Sequence, residues 1–275
     1  MLADCYVWFG WSCNLPLEEA TAKATAFAQK ALEIDDMLSE SHYALAQIKG
    51  ALHWDWLGVE EEHKRAIELN PNNGLAHGEN AWRLVSRGQF ADAIVESKPF
   101  LQLDPVSYIP NMSMAWIYLL SRHYDEAITH WKKMAELEPN DTRIYRGLAT
   151  VYERSGQYEE AIIARQKMMT LSGAPSGELE ALYRAYRESG PNGYWRWLLE
   201  KSKEQHNPHP AYVAMYYGQL DDKDRAFAWL EKAYEQHDSP MFRLAVEPGW
   251  DPLRDDPRFR DMLQRMNLPE IAIHK

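Results

Sequence analysis

Ile67-Glu68-Leu69-Asn70-Pro71, Leu101-Gln102-Leu103-Asp104-Pro105 and Ala135-Glu136-Leu137-Glu138-Pro139 are three evenly spaced copies of one short pattern, each closed by proline. Leu32-Glu33-Ile34-Asp35-Asp36 and Met169-Thr170-Leu171-Ser172-Gly173 are weaker copies on either side. The same period carries Trp56, Phe90, Tyr124 and Tyr158, then Ala93, Ala127 and Ala161. It also carries Ala81, Ala115 and Ala149, and a fourth register of Leu84, Tyr118, Tyr152 and Tyr186. Four registers that agree on one period define an internal repeat of about 34 residues, and a repeat of that length decides the fold.

Each unit reads as two helices. Tyr145, Leu148, Ala149 and Tyr152 recur at helical spacing, and after Ser155-Gly156-Gln157 a second set follows at Tyr158, Ala161 and Ile162. Small residues let the two helices approach, and the aromatics fill the space beside them. The Asn-Pro, Asp-Pro and Glu-Pro pairs stop the second helix, because the residue before proline is pushed out of the α region. One pair cannot bury its own apolar stripe, so neighbours must stack.

The alternation of small and large residues in Trp56…Val59…Pro71, Phe90…Ala93…Pro105, Tyr124…Ala127…Pro139 and Tyr158…Ala161 resembles the tetratricopeptide repeat family. The resemblance implies an all-α fold: a right-handed α-solenoid of about seven antiparallel helix pairs over residues 1–238. The units are expected at 1–38, 39–72, 73–106, 107–140, 141–174, 175–206 and 207–238, with a cap and tail over 239–275. The first unit departs from the pattern: Leu2, Ala3 and Tyr6 fit its first helix, Ala24, Ala28 and Ala31 its second, with about nine extra residues around Cys13-Asn14-Leu15-Pro16. Since Leu2-Ala3 would then lie mid-helix, a longer chain preceding Met1 is expected. The sixth unit has Trp195 in its small-residue slot and is expected to be distorted. Pro99 falls inside a helix over Phe90–Leu103, where proline removes a backbone hydrogen bond and bends the helix; a hinge altering groove curvature is the sharper reading. Asp251-Pro-Leu-Arg-Asp-Asp-Pro-Arg-Phe259 predicts a short capping helix with Asp256 as N-cap and Pro257 first, whose Phe259, Met262 and Leu263 cover the last repeat. This ending resembles those of bacterial multidomain signalling and regulatory proteins.

Composition narrows the function. Of 275 residues, 45% are apolar and 26% charged, so the chain can build a core. No apolar run reaches the roughly 18 residues of a membrane span, so membrane insertion is not expected. Thirty basic against 41 acidic residues give a net charge of −11, which disfavours direct nucleic-acid binding. Two cysteines form no disulfide framework, and the expected setting is reducing and cytoplasmic. Phosphate-loop, dinucleotide-fold, zinc-protease and nucleophile-elbow motifs are all missing from the sequence. Cys5 and Cys13 lack metal-ligand spacing partners, and the close pair His206 and His209 falls on a turn. The acidic runs Glu60-Glu61-Glu62, Asp221-Asp222 and Asp255-Asp256 read as solvated turns or outer helix faces. The sequence therefore predicts no catalysis, no metal and no cofactor. An enzymatic reading would need a deep polar cleft near Gly190–Trp197 with His206 or His209.

In the family the first helix of each pair lines the concave groove. Carried along one repeat at a time, that face holds Gly78, Met112, Arg146 and Glu180; Trp82, Trp116, Thr150 and Arg184; and Val85, Leu119, Glu153 and Arg187. The candidate site is Tyr43, Trp82, Met112, Trp116 and Leu119, followed by Arg143, Arg146, Arg154, Arg184 and Arg187. Charge changes in the same direction: residues 1–139 hold 11 basic and 20 acidic side chains, and 140–200 hold 8 of each. Exposed tryptophan and arginine dominate interface energies, so the expected partner is a protein or peptide with an apolar segment followed by acidic residues. The other open readings are packing of the tryptophans between helices and pairing of the arginines with Glu153, Glu180 and Glu188. The expected function is a non-catalytic protein-interaction module; the alternative is a regulatory sensor domain of a larger signalling protein. Self-association of the exposed ends stays open.

Overall fold

The computed structural model describes residues 17–53 and 55–271. The first helix expected for the opening unit, and Cys5 and Cys13, lie outside the described residues. Among the described residues there is no strand, and no helix is long and apolar enough to cross a membrane. The helices are α1 Leu17–Ile34, α2 Ser39–His53, α3 Trp56–Leu69, α4 Gly74–Ser86, α5 Phe90–Leu103, α6 Tyr108–Leu120, α7 Tyr124–Leu137, α8 Thr142–Arg154, α9 Tyr158–Leu171, α10 Ser176–Lys203, α11 Pro210–Gln219 and α12 Lys223–Glu235. Two 3₁₀ turns, Ser239–Arg243 and Pro248–Leu253, precede α13, Pro257–Arg265. Consecutive helices pack as antiparallel pairs, the all-α arrangement the period predicts.

The chain divides into two compact units. The first contains the described residues through Pro105, with His237–Ala245 and those from Met262 onward; the second contains Val106–Gln236 and Val246–Asp261.

The repeat sets local structure residue by residue. Asn70, Asp104 and Glu138, each before a proline, leave the α region at φ −140°, −145° and −131° and end α3, α5 and α7. Ser172, followed by glycine in the corresponding slot, stays near φ −84° and ψ 2°. The turn inside each pair repeats as well: Gly88, Arg122, Gly156 and Gly190, spaced by the same period, all have left-handed φ, at 73°, 63°, 76° and 57°. Glycine adopts that conformation at little cost, whereas Arg122 adopts it against the steric preference of an L side chain.

Close approach explains other small residues. A side chain on Gly147 of α8 would meet the indole of Trp131 of α7 at 2.5 Å, and one on Gly78 of α4 would meet Phe100 of α5 at 2.6 Å. Trp131 is buried to 1% exposure, beneath the next pair.

The sixth pair is compressed. Gly190, at φ 57° and ψ −144°, is a single non-helical residue inside α10, and Pro191 starts the second arm. With no longer loop, the arms meet so tightly that any side chain on Gly193 would clash with the carbonyl oxygen of Ala185. Trp195 fills the space beside this bend, edge-on to Tyr158 and Tyr194 and stacked on Tyr216. Pro99, by contrast, lies within an unbroken α5. The Glu60–Glu62 run is more than a solvated face: Glu62 accepts from His42 at 2.7 Å and Lys49 at 2.8 Å, and Glu60 pairs with Arg87 at 2.8 Å. The run thus ties α3 to α2 and to the turn after α4.

Candidate functional site

In the second unit, Val246 and Glu247 and the 3₁₀ turn Pro248–Leu253 that follows them lie against the helices. Their side chains are buried like a core: Val246, Trp250 and Leu253 at 0% and Glu247 at 3% exposure. Gln219, ending α11, donates to the Gly249 carbonyl at 2.8 Å. Gly249 is needed for this approach, because a Cβ there would run into Met215 and come within 2.8 Å of the Arg154 guanidinium. Leu253 packs on Gly218 of α11, and Trp250 lies beside Phe259.

Two arginines hold the acids of the segment. Arg154, the last residue of α8, donates from Nε to Glu247 at 2.8 Å, with Glu153 at 3.5 Å on its other side. Arg122 donates to Asp251 at 2.8 Å from the left-handed turn after α6. Burial by itself would lower the Arg154 pKa, but Glu247 and then Glu153 outweigh it and keep it raised.

Behind Arg154 the polar network continues inward. Arg165 of α9 pairs with Glu153, and its Nε donates to the Tyr194 hydroxyl at 2.9 Å, while that hydroxyl donates to Glu153. Burial lowers the Arg165 pKa, yet Glu153 and Tyr194 raise it further than burial lowers it. Burial also pushes the Tyr216 phenol up to about 12. These are charge-assisted contacts in a dry setting, strong as a set and costly to break singly.

In the first unit Trp82 of α4 is half-buried and meets Phe242 edge-to-face at 5.7 Å. Glu79, one turn back on α4, has its carboxyl pushed up to about 7 by burial, against a lowering hydrogen bond from Gln47. Tyr43 tilts onto the imidazole of His63 at 6.2 Å; His63 is 2% exposed, and neither ring nitrogen has a hydrogen-bond partner among the described residues. Burial, then Arg83, holds His63 down to about 4.

The remaining candidates are dispersed. Trp116 is half-buried, edge-on to Trp131 at 6.4 Å; Met112 is half-buried and Leu119 fully buried. Arg143 is exposed, chelates Asp141 and lies 3.8 Å over the Tyr108 ring. Arg146, Arg184 and Arg187 are exposed on α8 and α10, Arg187 near the Tyr183 ring. His206 is exposed and His209 packs edge-on to Tyr212. Sequence reasoning missed Arg122, Arg165, Gln219 and Glu247. Two had a signal: Arg122 stands in a glycine register, and Arg165 occupies the slot that Trp131 fills one repeat earlier.

No family model matches the chain, and no curated protein matches it in sequence. Solved structures do resemble it. PilW, described as a widely conserved type IV pilus biogenesis factor, is 15% identical with a TM-score of 0.53, over 88% of this chain and 98% of that one. PilF of Pseudomonas aeruginosa is 16% identical with a TM-score of 0.50, over 88% and 95%. The chain is thus an all-α protein with a tetratricopeptide-like fold. At such identities the likeness concerns fold alone.

Proposed function

We propose that the protein is a non-catalytic interaction module that binds an extended protein segment along the first helices of its pairs. One observation supports the reading: in the second unit α8, α11 and the turn after α6 hold the 3₁₀ turn Pro248–Leu253 and the preceding Glu247 by a main-chain carbonyl and two carboxylates, the kinds of contact a peptide-binding surface makes. The exposed Arg146, Arg184 and Arg187 extend the basic character and favour an acidic partner segment next to apolar residues. A setting within a larger bacterial signalling protein, in a reducing compartment, rests on the resemblance of the ending and on the two cysteines.

The test is an array of twelve-residue peptides of graded charge and hydrophobicity, probed with the full chain and with an Arg146→Glu/Arg184→Glu/Arg187→Glu variant of matched circular dichroism. Retention of acidic–apolar peptides by the native chain and their loss from the variant supports the reading. Retention independent of peptide charge, or equal on both proteins, overturns it.

A further inference from the structure

We propose that the edge of the second unit where α6 and α8 begin and α7 ends is a docking surface, and that its occupant is a peptide segment with an apolar anchor beside a carboxylate. The inference rests on the interaction-module reading and says where the apolar half of the partner lies. The surface there is Val106, Ile109 and Leu137, exposed to 77%, 53% and 55%. Consecutive helices run antiparallel, so the turn before α6, its first turn and the end of α7 come to one edge.

Two features set this edge apart from scattered exposed aliphatics, which need no explanation. One is departure from the repeat. One period on either side of Val106, the same turn position holds Asn72 and Asn140, a residue type that turns favour. One period on either side of Tyr108 are Gly74 and Thr142. The repeat therefore builds this turn without a valine or a tyrosine, whereas Leu137 is leucine in the flanking copies too, as Leu103 and Leu171. The other feature is charge. Arg143 lies 3.8 Å over the Tyr108 ring and is chelated by Asp141, with Glu138 also acting on it. Arg146, one turn further along α8, is exposed and forms no salt bridge among the described residues. It acts on the same ring: burial raises the Tyr108 pKa, and Arg143 and, less strongly, Arg146 oppose it. In a chain of net charge −11, an unpaired guanidinium next to bare aliphatic side chains selects a carboxylate, which it can hold bidentately. Tyrosine and arginine are also the residues on which interface energy concentrates. A second copy meeting this edge about a two-fold axis would instead bring Arg146 against Arg146.

The probes are fluorescein-labelled peptides GSLFDEGSGSGS and GSLFGGDEGSGS, with GSSSDEGSGSGS and GSLFNQGSGSGS as controls that lack the anchor or the charge. Fluorescence anisotropy follows their binding to the full chain, native and as Val106→Asn/Ile109→Ser or Arg146→Gln, each of matched circular dichroism. We expect the native chain to bind at least one of the first two at least tenfold more tightly than either control. Val106→Asn/Ile109→Ser should weaken that binding at least tenfold, and Arg146→Gln should erase the preference for the acidic peptide over its Asn-Gln control. Binding equal on all three proteins overturns the proposal and leaves the interaction-module reading standing, since the peptide is then held elsewhere on the chain. No binding of either peptide to the native chain at millimolar concentration also overturns it, and the charge-graded array then judges the module reading separately. A native dimer that Val106→Asn/Ile109→Ser converts to monomer in sedimentation overturns it too, the occupant being a second copy. Should a variant fail to fold, hydrogen exchange on the native chain decides. Exchange slowed by peptide at residues 106–111 and 142–147 supports the surface, and exchange unchanged there sinks it.

Discussion

Arg154 and Glu247 lie 2.8 Å apart with side chains 6% and 4% exposed, although 93 residues separate them in sequence. The pair joins the end of one repeat helix to the N-cap of a 3₁₀ turn outside the repeat. Its charges have exchanged water for each other, so each depends on the other being present.

Arg154→Met should therefore destabilise the protein by about 3–5 kcal/mol, because it strands Glu247 and Glu153 in a dry site. Arg154→Met/Glu247→Leu should recover part of that loss. Chemical denaturation of the single and double variants measures it; a single variant within about 1 kcal/mol of native would contradict the buried network.

Gly193→Ala should be severe for a change of one methyl group, since the new Cβ meets the Ala185 carbonyl across the Gly190 bend. A loss of about 1–3 kcal/mol is expected from such overpacking. Gly177→Ala, in the first turn of the same helix, has open space and should be neutral or slightly stabilising. Thermal melts of the two variants give the comparison.

His63 is held down to about 4 in the fold, below its ordinary value of 6.5. The folded state thus binds this proton less readily than the unfolded chain, and stability falls as pH drops from about 6.5 through 4. The full loss corresponds to roughly 3 kcal/mol. His63→Phe should flatten that limb of the stability–pH curve, and an unchanged slope would place the effect elsewhere.

Glu79 acts with the opposite sign. Its folded pKa, pushed up to about 7, lies above its ordinary 4.5, so its contribution is present below about 4.5 and is lost as pH rises through 7. Glu79→Gln should raise the melting temperature at pH 8 relative to native and make little difference at pH 4.5. A stabilisation equal at both pH values would rule out titration as its cause.

The helix pairs and their ends were legible because proline, glycine and small residues act within one turn of chain, and repetition at a fixed period multiplies the signal. Asn70, Asp104 and Glu138 show this directly, each leaving the helix before its proline. The grip on 246–253 was not legible, because what Arg122 and Arg154 touch depends on where residues far down the chain return. Arg143 illustrates the limit: it looks like its neighbours in the repeat, yet Asp141, two residues back, takes its guanidinium. Tyr43 illustrates another, since only the fold brings its ring against that of His63.

Arg122 and Asp251 are 129 residues apart. Stacked repeats ordinarily need only their neighbours, so folding can begin anywhere and spread as successive pairs leave the ribosome. The second unit departs from that economy of timing. Its helices can pair during synthesis, but Arg122, Arg154 and the space for Trp250 must wait until residues 247–251 emerge. At roughly 5–20 residues per second, that delay from Arg122 lasts seconds or more, during which Arg122 and Arg154 lack Asp251 and Glu247.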